Sequence, residues 1–260
     1  AQRFLTALRA QDSSFVMRHI QQSAPCKRLQ RRRHNPPETD IAAKKAWRRF
    51  NKKDLRKVCY KQQFGLCAYT ELSLDDEEMG THLEHIAPRS RYPARTFEPS
   101  NIVLCAMNDV FAGTLPDAER FGGHYKLNQY NEEAFISPLQ ADCERYFYYC
   151  DKSGQVLPSA ELTEQEQEKA AHTIALLNLN CAFLVERRQS CLINLKQQLA
   201  DWRSLNNNAP TEAEAEAEAE AESINHSAAD TERFITDILA IKNGRLPEFY
   251  SAIKQYLQGI

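Results

Sequence analysis

The sequence predicts a helix-rich α+β protein, on three observations. Both ends of the chain carry apolar residues at helical spacing. The stretch between, residues 64–126, breaks into short apolar runs divided by turns: FGLCAYTEL, HLEHIAP, SNIVLC and FGGHYK. The 260 residues suit one large domain or two small ones with a sizeable core.

Five regions follow in order. Residues 1–63 read as a basic helical region, broken at Pro36-Pro37 and closed at Gly65, with Ala43 to Gln62 as one long basic helix. Residues 64–130 are the mixed segment. Within residues 131–205, the stretch from Phe135 to Pro158 contains ERYFYYCDKSGQVLP, a β-hairpin turning at Lys152-Ser153-Gly154. A helical stretch from Thr163 to Leu205 follows, with apolar Ile174, Leu177, Leu184, Leu192, Leu195 and Leu199, and it splits near Leu179-Asn180-Cys181. Residues 206–223 contain TEAEAEAEAEAE, whose like charges repel along any helix, so a solvated linker is expected. Residues 224–260 add two short amphipathic helices around Gly244 and Pro247.

The net charge of -2 hides an uneven distribution. The run from Lys27 to Lys57 is strongly basic, holds Arg31, Arg32 and Arg33, and sets Trp47 and Phe50 among the charges. Such a run reads as a nucleic-acid contact or as a solvated helix face. No run of 18 or more apolar residues exists, so no membrane helix is expected. The eight cysteines are scattered and no signal-peptide core precedes them, which reads as reduced thiols and a cytoplasmic location. The aromatic run Tyr146 to Tyr149 reads as a strand on the core, and Arg187-Arg188 as an exposed helix pair.

Chemistry concentrates in THLEHIAPRSRYP, residues 81–93. Phosphodiester hydrolysis needs a base for water, a divalent cation at the phosphate, and cationic donors for the backbone. His85 titrates near neutrality and suits the base. Glu84 is a hard oxygen ligand for Mg²⁺ or Mn²⁺. Neighbours on a strand point to opposite faces, but at a strand end both can border one cleft, and Pro88 marks such an end. Arg89 and Arg91 follow where phosphate would lie, and the Asn101 amide is placed to pin the loop that carries His85. A histidine is more often a structural hydrogen-bonder, yet EHIxP, basic residues and then NIVLC form a far rarer combination than Glu-His alone.

That combination resembles an HNH endonuclease, whose ββα-metal fold carries an acidic residue, His, an apolar residue, any residue and Pro, then Asn, then a final Asn or His on a helix. The resemblance implies one ββα-metal unit inserted between helical parts. It implies His85 as base, Asn101 as its orienting residue and Glu84 as a metal ligand. Many such proteins place the last ligand about nine residues after the Asn; here Val110 stands there and cannot bind metal. The candidates are Asn108, seven residues after Asn101, and His124, twenty-three after. His124 is favoured because GGHYK resembles a closing CGHxK segment, with Lys126 then facing the phosphate. CAYTE at 67–71 resembles CAYCE with Thr70 at the second cysteine, and Gly122 replaces another. Cys67 and Cys105 alone do not close a tetrahedral site, so no structural zinc is expected.

From KKDLRKVCYKQQFGLCAYTE through HTIALLNLNCAFLVERR, over roughly residues 17–200, the chain is similar to the HNH nuclease subunit of Septu-type and retron-linked anti-phage systems (PtuB-like). Met17 is then a candidate start. The resemblance implies an ABC/SMC-like ATPase partner (PtuA-like), a DNA or RNA substrate, and in retron-linked versions a reverse transcriptase with its RNA–DNA product. The rivals are a catalytically inactive adaptor on the same fold and a plain nucleic-acid-binding subunit. The C-terminal helices either dock on the ATPase or close the core.

Overall fold

The structure, a computed structural model, describes residues 18–22, 26–206 and 230–259. Met17, the candidate start, and the acidic repeat lie outside the described residues.

The basic front forms three helices: α1 (Lys27–Arg33), α2 (Asp40–Arg49) and α3 (Lys53–Gln62). Thr39 caps α2 by accepting from Ala42 N at 3.2 Å. The single helix expected over 43–62 is therefore two. At Phe50 the backbone is extended (φ -75, ψ 129), which turns its ring into the core. The Asn51 carboxamide accepts from Lys53 N at 3.0 Å, and the Lys52 ammonium takes the freed carbonyls of Trp47 and Phe50. Trp47 and Phe50 then both meet Phe97, at ring separations of 6.0 and 5.4 Å. One straight helix cannot aim residues 47 and 50 and the 53–62 face at their separate partners.

Strand β1 (Thr81–His85) pairs antiparallel with β2 (Ile102–Ala106), Thr81 opposite Ala106 and His85 opposite Ile102. All five β2 residues are buried, as the continuous apolar run IVLCA requires. The Gln63 carboxamide ties α3 to β2, donating to Leu104 O at 2.7 Å and accepting from Leu104 N at 2.8 Å. Between the strands the chain runs through two 3₁₀ turns, Pro93–Phe97 and Pro99–Asn101. Two short helices follow, α4 (Asp109–Thr114) and α5 (Gly123–Lys126).

The predicted second hairpin is present, with β3 (Phe147–Tyr149) against β4 (Val156–Pro158) and Gly154 at φ +71 in its turn. Phe147 and Tyr149 are buried and Tyr148 faces out, the alternation of a strand on the core. Helix α6 (Glu164–Leu176) starts on a Thr163/Glu166 capping box, and α7 (Ala182–Asn206) follows the expected break. Asn178 makes that break with φ +49, its amide donating to the carbonyls of Ala118 and Arg120.

Arg188 corrects an expectation. It is buried, not exposed, and it donates to the carbonyls of Gly154 and Leu179 beneath the rings of Tyr149 and Phe249. Helix α8 (230–239) and α9 (Tyr250–Gln258) end the described chain. Phe249, Ala252, Ile253 and Leu257 of this segment are buried, so α9 closes the core. Glu71 receives Ser251 N at 2.8 Å and Arg18 N at 3.0 Å, which ties the mixed segment to both chain ends. Among the described residues no helix is long and apolar enough to cross a membrane.

Candidate active site

Period-two alternation places His82 and Glu84 on one face of β1, with His85 at its end on the other. All three border a cleft of about 390 Å³, together with Arg89, Asp109 and His124. Lys44, Lys52 and Arg56 from the basic helices also line it.

Three histidines meet here, and each has its tautomer set by an oxygen that can only accept. His82 donates from Nδ1 to Met107 O at 2.6 Å, and its buried Nε2 has no partner. His124 donates from Nε2 to Asp109 Oδ1 at 2.9 Å, and its buried Nδ1 has no partner. The two rings meet edge to face at 4.3 Å. His85 donates from Nε2 to Thr96 O at 2.9 Å, which leaves Nδ1 as its acceptor. The Trp47 ring packs edge-on against His85 at 4.4 Å.

The loop under His85 is held as expected from the sequence. Asn101 Oδ1 accepts from Ala87 N at 2.6 Å, and its amide donates to Ala87 O at 3.0 Å and Arg95 O at 3.1 Å. Glu84 Oε1 lies 2.9 Å from Lys126 Nζ, and Oε2 lies 3.6 Å from His82 Nε2. Burial pushes the Glu84 carboxyl up, but Lys126 and then His82 outweigh it and hold the pKa at about 2. Burial, reinforced by Arg89, pushes His85 down to about 4, so its imidazole is neutral at neutral pH. Burial followed by His82 lowers His124. For His82 burial acts downward, yet Glu84 and the Met107 carbonyl leave it raised overall.

Gly123 permits this approach. A Cβ there would stand 2.4 Å from Glu84 Oε2 and 2.9 Å from His82 Nε2, so any side chain would displace the pair.

Three expectations need correction. Lys126 does not face the cleft: it is fully buried, spent on Glu84 and on the carbonyls of His85 and Ile86. A buried ion pair offsets its desolvation only with good geometry and further hydrogen bonds, which the two carbonyls supply to Lys126. Asn108 is a helix cap, its Oδ1 accepting from Phe111 N at 2.8 Å, and it is absent from the cleft lining. Arg91 points away and donates to Tyr130 O at 3.1 Å. Arg31, Arg32 and Arg33 are exposed at the end of α1, outside the cleft. Of the arginines that the sequence reading singled out for phosphate, Arg89 alone lines it, with its guanidinium over Trp47 at 5.5 Å.

The sequence reading missed His82, Asp109, Lys44, Lys52 and Arg56. His82 carried a signal, since it sits two residues before Glu84 on a strand and must share its face. The others carried none beyond membership of a basic run or a helix start. Cys67 and Cys105 are fully buried side by side, with the Thr70 hydroxyl also on Cys67.

Among the described residues no three His, Cys, Asp or Glu side chains are already gathered around one point. Lys126 holds one Glu84 oxygen, and the two imidazoles have closed on one another. The donor chemistry nonetheless fits a divalent ion: a carboxylate held ionised and an imidazole lone pair at His124, buried with no other partner. Carboxylate orientation of the opposite ring nitrogen, as Asp109 does for His124, is the usual support for a metal-binding histidine.

No protein-family model matches the chain, and no curated protein matches it.

Proposed function

We propose that the protein is a metal-dependent endonuclease of the HNH type, with β1, β2 and α5 as its ββα-metal unit, and that it acts as the effector of an anti-phage complex with an ABC/SMC-like ATPase. One observation carries the nuclease reading. A neutral histidine with a free Nδ1 stands beside an ionised carboxylate and an unpartnered imidazole, in one cleft rimmed by four cationic side chains. The defence role and the ATPase, with a retron reverse transcriptase in some systems, rest on the sequence resemblance alone.

In this reading Lys44, Lys52, Arg56 and Arg89 take the phosphate backbone. Lys52 is already lowered by burial and then by Arg89 and Arg56, a crowding of like charge that an anion relieves. His85 Nδ1 accepts the proton of the attacking water. The anionic phosphate also raises His85 from its low resting value, which favours the imidazolium that forms. Thr96 O and Trp47 hold the ring, and Asn101 holds the loop beneath it. Glu84 and His124 would hold the divalent ion, Mg²⁺ or Mn²⁺, which would supply charge neutralisation at the phosphate.

One observation favours a second reading, an inactive adaptor: the Lys126 ammonium neutralises Glu84 without any ion. The test is incubation of the full chain, alone and with the ATPase, against DNA and RNA in Mg²⁺ or Mn²⁺. Cleavage is expected, and His85→Ala should lower it ~10²–10⁴-fold, the usual contribution of a general base. A His85→Ala protein that cuts as well as wild type would sink the assignment, and no cleavage under any of these conditions would favour the adaptor.

A further inference from the structure

We infer that His82 is a third protein ligand of the metal site, making it a two-imidazole, one-carboxylate site that selects transition ions such as Mn²⁺, Co²⁺ or Zn²⁺ over Mg²⁺. This rests on the metal-dependent reading above.

The inference starts from an atom with no partner. His82 Nε2 is buried and makes no hydrogen bond, although its ring is locked by a 2.6 Å bond from Nδ1 to Met107 O. A buried polar atom left unpaired carries its full desolvation penalty, so a histidine kept only for structure would find a donor. The nearest polar groups are the wrong kind for that. Glu84 Oε2 at 3.6 Å is an acceptor, and it is too far for a charged hydrogen bond, which is typically ~2.7–2.9 Å. The other neighbour is the His124 ring, whose own Nδ1 is buried and unpaired.

Two buried imidazole nitrogens without a hydrogen-bond partner and a carboxylate thus border one cleft. A cation shared by all three groups satisfies them together. A divalent ion holds such donors at ~2.1 Å, which sets neighbouring ligands ~3–3.5 Å apart. The separation between His82 Nε2 and Glu84 Oε2 lies just above that range before any ion draws them in. Gly123 keeps the space over this pair free of a side chain.

The backing of each ligand matches too. Met107 O holds the opposite nitrogen of His82 as Asp109 holds that of His124. Imidazole pairs suit Mn²⁺, Co²⁺ and Zn²⁺, whereas Mg²⁺ prefers oxygen donors and retains its waters.

The test is binding to the metal-free full chain, with no substrate present. Co²⁺ should bind one per chain with visible absorption bands, and Mn²⁺ should bind at least ~10-fold tighter than Mg²⁺ by calorimetry. His82→Ala and His82→Gln, checked for folding by circular dichroism, should weaken Co²⁺ on the order of 100-fold and change its spectrum. A readout on wild type needs no variant: Zn²⁺ should shift the ¹⁵N resonance of His82 Nε2 while Nδ1 keeps its proton. If wild type binds no ion, the metal reading falls and this inference with it. If wild type binds but both variants keep the same affinity and spectrum, or Nε2 does not shift, only the His82 assignment is overturned. Equal binding of Mg²⁺ and Mn²⁺ overturns the selectivity.

Discussion

The two hairpins of this protein are built alike and finished differently. Each is a two-stranded antiparallel ribbon, and each has its connection pinned by one polar side chain from outside the strands. Asn101 pins the loop after β1. Arg188 pins the turn between β3 and β4, and Asn180 adds a matched pair of bonds to Val156 N and O, each 2.8 Å. At the second hairpin the buried polar groups are satisfied. At the first, His82 Nε2 and His124 Nδ1 are left bare. Buried polar atoms in native proteins are nearly always paired. Of the five such side-chain atoms among the described residues, these two lie in one cleft, beside an ionised carboxylate and a cluster of cations, and that is where chemistry is expected.

The comparison breaks most visibly at Arg188. Arg188→Ala should destabilise by about 3–6 kcal/mol, from two charge-assisted hydrogen bonds at roughly 1.5–3 each, with metal affinity unchanged once the protein is folded. Urea unfolding read beside a Co²⁺ titration checks both halves. A variant of near wild-type stability would show that the second hairpin does not depend on its pin.

Asn101→Ala should act on both quantities. Losing its three bonds strands the buried Ala87 N–H and should cost about 2–4 kcal/mol. It should also slow cleavage, because the loop fixes His85. Stability that falls with cleavage unaffected would separate the loop from the base.

Asn108→Ala sharpens the contrast with His124. Loss of the α4 cap should cost about 1 kcal/mol in a thermal melt and leave Mn²⁺ affinity as it was. A fall in Mn²⁺ affinity of tenfold or more would return Asn108 to the ligand set.

Much of the architecture was legible because it is local. The turn at Gly154, the Thr163/Glu166 start of α6, the break after Leu177 and the buried run IVLCA follow from backbone chemistry and periodicity over a few residues. The role of Asn101 was legible for a similar reason, since an amide placed after a turn has few backbone groups to hold. Trp47 and Phe50 were visible as aromatics among charges, but not as the reason α2 and α3 separate. That break depends on Phe97, forty-seven residues beyond Phe50, which only the folded chain brings into contact.

By itself the sequence determined a helix-rich α+β chain, a hairpin turning near Gly154, and a carboxylate-histidine pair at a strand end with an asparagine to hold its loop. Tertiary structure decided which groups meet. Lys126 and Arg188 read as exposed cations, and both are buried because a carboxylate or backbone carbonyls from distant segments repay the loss of water. His124 reaches His82 across forty-two residues because α5 packs over β1 at Gly123, where any side chain would strike Glu84. Spacing along a chain reports which side chains share a face; which face lies opposite is a matter of packing between segments far apart in sequence.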